Sequence, residues 1–159
     1  MIFVTLGTND KSFGRLLDSV EKAAADGLLS GEILVQSGYT KYESSRMKVV
    51  ESMNRQEFEE AVAKADLVIT HGGVGSIMTA LQHGKTILAA ARLAAYGEHV
   101  NDHQIQLLES FDRDGYLIYM KDLSDLKPYL ERAKTFTPRQ YVSNTAAMVS
   151  FLEDWIEKN

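Results

Sequence analysis

The sequence predicts an α/β domain built on a doubly wound parallel sheet. Short apolar runs alternate with amphipathic stretches along all 159 residues, a pattern that covers a parallel sheet with helices on both faces. Leu67-Val68-Ile69 lacks polar alternation, which marks a strand buried on both sides. Two apolar runs pass directly into glycine-bearing turns, Gly7-Thr8-Asn9 and Gly72-Gly73-x-Gly75. Such turns lie at the carboxyl edge of the sheet, where open α/β folds bind ligands.

The first strand is Ile2 to Leu6, and it ends at Gly7-Thr8-Asn9-Asp10. Phe13, Leu16, Leu17 and Val20 then recur at helical spacing, and that helix closes near Gly27. Ile33-Leu34-Val35 is a second strand stopped by Ser37-Gly38; residues 39–46 form a polar loop, and Met47 to Val50 a short third strand. Asn54 followed by Glu57 is a capping box, with Phe58, Ala61, Val62 and Ala65 on the helix face behind it. After the buried strand, Ile77, Ala80 and Leu81 pack a helix that stops at Gly84.

Thr86 to Ala91 is the next strand, followed by a polar loop and a helix that starts near Asn101 or Asp102 and packs through Ile105, Leu108 and Phe111. Tyr116 to Met120 is the last strand. Leu123, Leu126 and Leu130 predict a helix broken near Thr137-Pro138, and a final helix carries Val149, Leu152, Trp155 and Ile156. No repeat, low-complexity segment or linker interrupts the chain, so residues 1–159 read as a single domain. A chain of this length buries roughly two thirds of its unfolded surface.

Composition excludes several classes. There is no cysteine, so no disulfide framework exists, which fits a reducing compartment. The net charge of −5 is spread over both signs and gives a nucleic-acid partner no electrostatic support. The start, MIFVTLGTND, has no basic segment and reads as a strand instead of a signal peptide. No apolar stretch approaches the ~20 residues of a membrane span. The chain is expected to be soluble by itself, with any membrane attachment supplied by a partner.

Two motif matches and one metal site fail on context. Gly84-Lys85-Thr86 imitates the end of a P-loop, but Thr79 stands where the earlier glycine is required, and the tripeptide joins a helix to a strand. Asp112-Arg113-Asp114 imitates the metal-binding acidic pair of one class of sugar transferases, yet it sits at a helix end before Gly115 and reads as a solvated turn. His99 and His103 have i,i+4 spacing, but His99 precedes the helix and no third ligand is apparent, so no metal is expected.

The turn at Gly72, Gly73 and Gly75 offers bare amides at a helix N-terminus, where dipole and unpaired N–H groups stabilise a phosphate. Its alternative role is tight strand-to-helix packing. Ser76 is placed to cap the helix or to meet the phosphate. His71 ends the buried strand as a ligand contact or as a hydrogen-bonded structural histidine. Glu98 to Gln104 is dense in polar side chains suited to sugar hydroxyls, with an ordinary solvated loop as the alternative.

His71-Gly72-Gly73-Val74-Gly75-Ser76, then Leu81 to Gly84-Lys85, Arg92, and Gly97-Glu98-His99-x-Asn101-Asp102-His103-Gln104 together resemble the C-terminal domain of glycosyltransferase family 28. The likeness runs over nearly the whole chain from Val4-Thr5-Leu6-Gly7-Thr8. It is strongest to the small stand-alone form, like the catalytic subunit of the two-part dolichol-pathway UDP-GlcNAc transferase and bacterial exopolysaccharide or capsule subunits. The resemblance implies the Rossmann-like, donor-binding half of a GT-B glycosyltransferase. Gly7, Thr8 and Asn9 would approach a UDP-sugar diphosphate from one side, and Gly73, Gly75 and Ser76 from the other, with His71 and Gly72 also among the donor-binding residues.

By the same resemblance Asp102, His103 and Gln104 would contact the donor sugar, Arg92 and Asn101 belong to the donor-binding residues, and Glu98 and His99 line the same mouth. Thr79 stands where many family members carry a ribose-binding glutamate; one hydroxyl cannot accept two hydrogen bonds as a carboxylate does. The implied activity is metal-independent, inverting transfer of a hexose from a UDP-sugar to a lipid-linked saccharide, with Glu98, His99 and His103 as candidates for the general base. No cofactor beyond the donor is implied. The absent acceptor half implies a membrane-anchored partner that would hold the chain at the cytoplasmic face of the membrane. The final helix is a candidate docking face, with packing on the domain's own core as the alternative. A non-catalytic nucleotide-sugar-binding module is the rival reading.

Overall fold

Strands β1 (Ile2–Thr5), β2 (Ile33–Gln36), β3 (Lys48–Val50), β4 (Leu67–His71), β5 (Thr86–Ala90) and β6 (Ile118–Tyr119) form one sheet of order β3-β2-β1-β4-β5-β6. Every neighbouring pair is parallel. The structure is a computed structural model that describes residues 1–140 and 145–158. Alternating side chains feed two cores, which explains why the strands lack polar alternation. Ile2 and Val4 face Leu16, Leu17 and Val20 of α1 (Gly14–Ala25) and Leu130 of α5 (Lys127–Thr135). Phe3, Val68 and Ile87 face a layer made by α2 (Arg55–Lys64), α3 (Val74–Gln82), α4 (His103–Arg113) and α6 (Thr145–Lys158).

From β1 the chain winds outward to β2 and β3, then crosses back over the sheet to β4 and continues to β5 and β6. The direction of winding therefore reverses between β1 and β4. The loops leaving those two strands diverge to opposite faces and leave a crevice at their carboxyl ends.

Local chemistry sets most boundaries where the sequence places them. The capping box is complete: Asn54 Oδ1 accepts the Glu57 N–H at 2.8 Å, and Glu57 Oε2 accepts the Asn54 N–H at 2.8 Å. Helix α4 opens at His103 behind Asp102, as predicted. Its buried face is Leu107, Leu108 and Phe111, whereas Ile105 is only half-buried.

The helix expected from Leu123 begins later, at Lys127. Asp122 Oδ1 accepts the Ser124 N–H and Asp125 Oδ1 accepts the Lys127 N–H, which hold turns, and Pro128 fits the first helical turn because it needs no N–H there. Leu123 and Leu126 still reach the same core from that turn. In α6, Phe151, Leu152 and Trp155 pack against the domain's own core, while Ile156 is 66% exposed. Val149, expected on the same face, lies outside the described side chains.

Replacing Asn54 by alanine removes one half of the capping box and is expected to lower stability by about 1 kcal/mol. Urea unfolding measures this; an unchanged midpoint would show that the box contributes nothing to α2.

Candidate functional site

A cleft of about 500 Å³ opens at the crevice between β1 and β4. Gly7 and Thr8 of the β1 loop line one wall, Gly73, Gly75, Ser76 and Thr79 of α3 line the opposite wall, and His71 lies between them. The fold thus brings seven of the sequence-predicted residues to one surface. Sequence reasoning missed the remaining lining: Gln36 at the end of β2, and Met53, Asn54, Arg55 and Phe58 at the start of α2. The capping box at Asn54 was the available signal, since it marks a second helix N-terminus that follows a parallel strand.

The α3 terminus suits an anion. Its cap position is Gly73, with no side-chain hydrogen bond to the first turn, and the first helical bond runs from the Ile77 N–H to the Gly73 carbonyl at 3.2 Å. The N–H groups of Val74, Gly75 and Ser76 therefore have no intrahelical acceptor. Ser76 is the third helical residue and lines the cleft; its N-cap alternative is corrected, because the helix starts two residues earlier, behind Gly73. The Thr79 hydroxyl donates to the Gly75 carbonyl at 3.0 Å, which leaves its lone pairs for another donor.

His71 is 7% exposed and wedged between two glycines. A Cβ on either Gly7 or Gly73 would collide with the imidazole at Nε2 and Cε1. Gly7 also has φ +69°, the left-handed region that disfavours any side chain. Burial drives the His71 pKa down from 6.5 to about 4, and the nearby Arg92 guanidinium pushes in the same direction. The imidazole is neutral at pH 7; its Nδ1 lies 3.4 Å from the Thr70 hydroxyl oxygen, and Nε2 is the ring nitrogen that lies beside Gly7 and Gly73 at the floor of the cleft.

The polar loop after β5 lies outside this lining, and its side chains are largely engaged with the loop itself. Asp102 Oδ1 accepts the Ala94 N–H at 2.8 Å, Asn101 Oδ1 accepts the His103 N–H at 3.1 Å, and His99 Nδ1 accepts the Asn101 N–H at 3.3 Å. Gln104 Oε1 accepts the Arg92 N–H at 3.0 Å and lies where a Cβ on Gly72 would meet it at 2.9 Å. In the β1 loop, Asn9 Oδ1 accepts the Lys11 N–H at 2.9 Å.

Glu98 is 3% exposed, bound by Arg15 through Nη2 at 2.9 Å and Nε at 3.2 Å, and it also accepts the Leu93 N–H at 3.1 Å. Arg92 is 1% exposed and reaches backbone carbonyls on both loops. Neither Glu98 nor Arg92 opens into the cleft. His99 is half-buried and His103 is exposed. Among the described residues no group of three or more His, Asp or Glu side chains is arranged to hold a metal ion, and no helix is long and apolar enough to cross a membrane.

Residues 1–158 match the glycosyltransferase family 28 C-terminal domain. The chain belongs to that family. This family 28 domain is 32% identical over 132 residues to the UDP-N-acetylglucosamine transferase subunit ALG13 of Homo sapiens, a match that covers 74% of this chain and 11% of the human protein. It therefore spans only about a tenth of that relative's length. In fold it is similar to the solution structure of ALG13, with a TM-score of 0.63 at 18% identity over 95% of this chain and 94% of that one. It is similar also to the kitacinnamycin glycosyltransferase, with a TM-score of 0.63 at 18% identity over 84% of this chain and 34% of that one.

Two outcomes check the cleft floor. Gly73→Ala forces the imidazole to move, so a destabilisation of about 1–3 kcal/mol is expected from overpacking; an unchanged urea midpoint would contradict the wedge. The folded-state pKa of His71 lies below its unfolded value, so its contribution to stability is complete above about pH 6.5 and is lost as pH falls towards about 4. The loss is on the order of 3 kcal/mol. In an NMR titration His71 is expected to stay neutral at pH 5, and a midpoint near 6.5 would place it in water.

Proposed function

We propose that this domain is the donor-binding, catalytic subunit of a UDP-sugar hexosyltransferase, acting on a lipid-linked saccharide held by a membrane-anchored partner in exopolysaccharide, capsule or glycolipid assembly. The observation that carries the reading is the uncapped first turn of α3 facing Gly7 and Thr8 across the cleft. A diphosphate between those walls would meet helical N–H groups and the α3 dipole on one side and the β1 loop on the other. His71 would add a neutral hydrogen bond from the floor. The nucleoside would extend towards Thr79 and the start of α2, and the sugar towards Asn101, Asp102, His103 and Gln104.

In the transfer, an acceptor hydroxyl attacks the anomeric carbon, the bond from that carbon to the diphosphate oxygen breaks, and UDP departs with the electron pair. The acceptor proton passes to a base. The ion pair with Arg15 occupies Glu98, which favours His99, His103 or a group on the partner for that role. Charge on the departing UDP is met by helix N–H groups and dipole, so the reading needs no metal. The whole enzyme would sit at the cytoplasmic face through its partner.

UDP is expected to raise the unfolding temperature of the isolated chain in proportion to the logarithm of its concentration. Gly75→Asp is the discriminating variant. Nothing lies within 4 Å of a Cβ built there, so the fold should persist, and a carboxylate in a first turn favours the helix. Its charge would repel a diphosphate, so UDP affinity should fall at least about tenfold, or about 1.4 kcal/mol. Unchanged affinity would remove the phosphate assignment. Firm UDP binding without turnover beside any acceptor-bearing partner would instead point to a binding module.

A further inference from the structure

We infer that Arg92 is a positioning residue for the donor site: it holds the β1 loop and the β5–α4 loop at a fixed separation and makes no contact with the ligand itself. The inference rests on the donor-site reading, and it reassigns a residue that the family resemblance places among the donor-binding residues.

The guanidinium lies against three carbonyls drawn from two loops. Nη2 donates to the Leu6 carbonyl at 2.8 Å, and Nη1 donates to the Lys11 carbonyl at 2.7 Å and to the Glu98 carbonyl at 3.3 Å. Leu6 and Lys11 bracket Gly7, Thr8, Asn9 and Asp10, so both ends of the candidate diphosphate loop are tied to one rigid plane. Glu98 belongs to the loop that leads to the candidate sugar residues. The Arg92 N–H donates to Gln104 Oε1, which fixes the start of α4 to the same point. Underneath, the guanidinium carbon lies 5.1 Å from the centroid of the Phe13 ring.

A buried cation is an expensive way to fill a core, and an apolar side chain of similar volume is often as stable or more so. The Nε of Arg92 is buried without a hydrogen-bond partner among the described residues, which adds to the cost. What an apolar residue cannot supply is a planar fork that satisfies carbonyls on separate loops at once. Lysine cannot supply it either, since its ammonium is a point donor on a flexible stem. The neighbouring Glu98 carboxylate, itself gripped by Arg15, offsets the charge. Arg92 is thus held by groups from the loop after β1, the cap of α1, the β5–α4 loop and α4, and it is not among the residues that line the cleft.

Amide hydrogen exchange and UDP binding together test the inference. In Arg92→Lys the charge persists and the fork is lost. Exchange of residues 7–11 and 93–98 is expected to accelerate in the ligand-free chain while β1, β4 and β5 remain protected. UDP affinity is expected to fall about tenfold, equally at low and high salt, because loop ordering is then charged against binding. Arg92→Met should lose more, with partial recovery in Arg92→Lys; if the Met variant fails to fold, the Lys variant decides alone. Unchanged exchange in the two loops would overturn the inference, as would acceleration spread evenly over the sheet, which would mean a role in global stability only. In Arg92→Met, which removes the charge, an affinity loss confined to low salt would overturn it too, since that marks direct contact with phosphate charge. If the natural chain does not bind UDP at all, the donor-site reading fails, while the exchange comparison still decides what Arg92 does.

Discussion

Gly7 and Gly73 approach the His71 imidazole so closely that neither can carry a Cβ. The constraint joins the ends of β1 and β4, the two strands between which the winding of the sheet reverses. Because both flanking positions are bare backbone, the two loops close over the imidazole, and the first-turn N–H groups of α3 are left without intrahelical acceptors beside it. A larger residue at either point would spread the walls. The width of the cleft, the exposure of the α3 terminus and the neutrality of His71 at pH 7 follow from this one packing arrangement.

Around it, ionic groups are used for holding instead of for display. Arg92 and Glu98 are buried, and their partners are carbonyls, amides and Arg15. Removing one partner of such a pair leaves an uncompensated charge in low dielectric. The two loops at the carboxyl edge are therefore coupled: what shifts the β5–α4 loop also shifts the turn at Gly7. This division gives a cleft whose two glycine-bearing walls present backbone and small polar groups, while Arg92 and Glu98 are kept out of its lining.

Much of the fold was legible. Continuous apolar runs at Ile2–Val4 and Leu67–Ile69 specify strands buried on both sides, and Asn54 with Glu57 specifies the start of α2 by a local exchange of hydrogen bonds. The start of α5 was misread because three leucines at helical spacing outweighed the turns at Asp122 and Asp125. The final helix also separates by residue, with Leu152 and Trp155 on the core and Ile156 exposed. In the site, glycine turns marked both cleft walls, while Met53, Arg55 and Phe58 were marked only indirectly, by the capping box at Asn54 that sets the start of α2.

By itself the sequence determined the alternation of strands and helices, the two glycine turns at strand ends and the family pattern, because each depends on neighbours a few residues apart. Only the tertiary structure decided which polar residues face the cleft. Arg92 and Glu98 carry the same chemistry in sequence as surface ligand contacts would, yet the fold buries them against Leu6, Lys11 and Arg15, residues some 80 positions away along the chain. Whether a charged group meets solvent or is shut inside a network depends on which distant carbonyls surround it, and that is settled when the parallel sheet assembles.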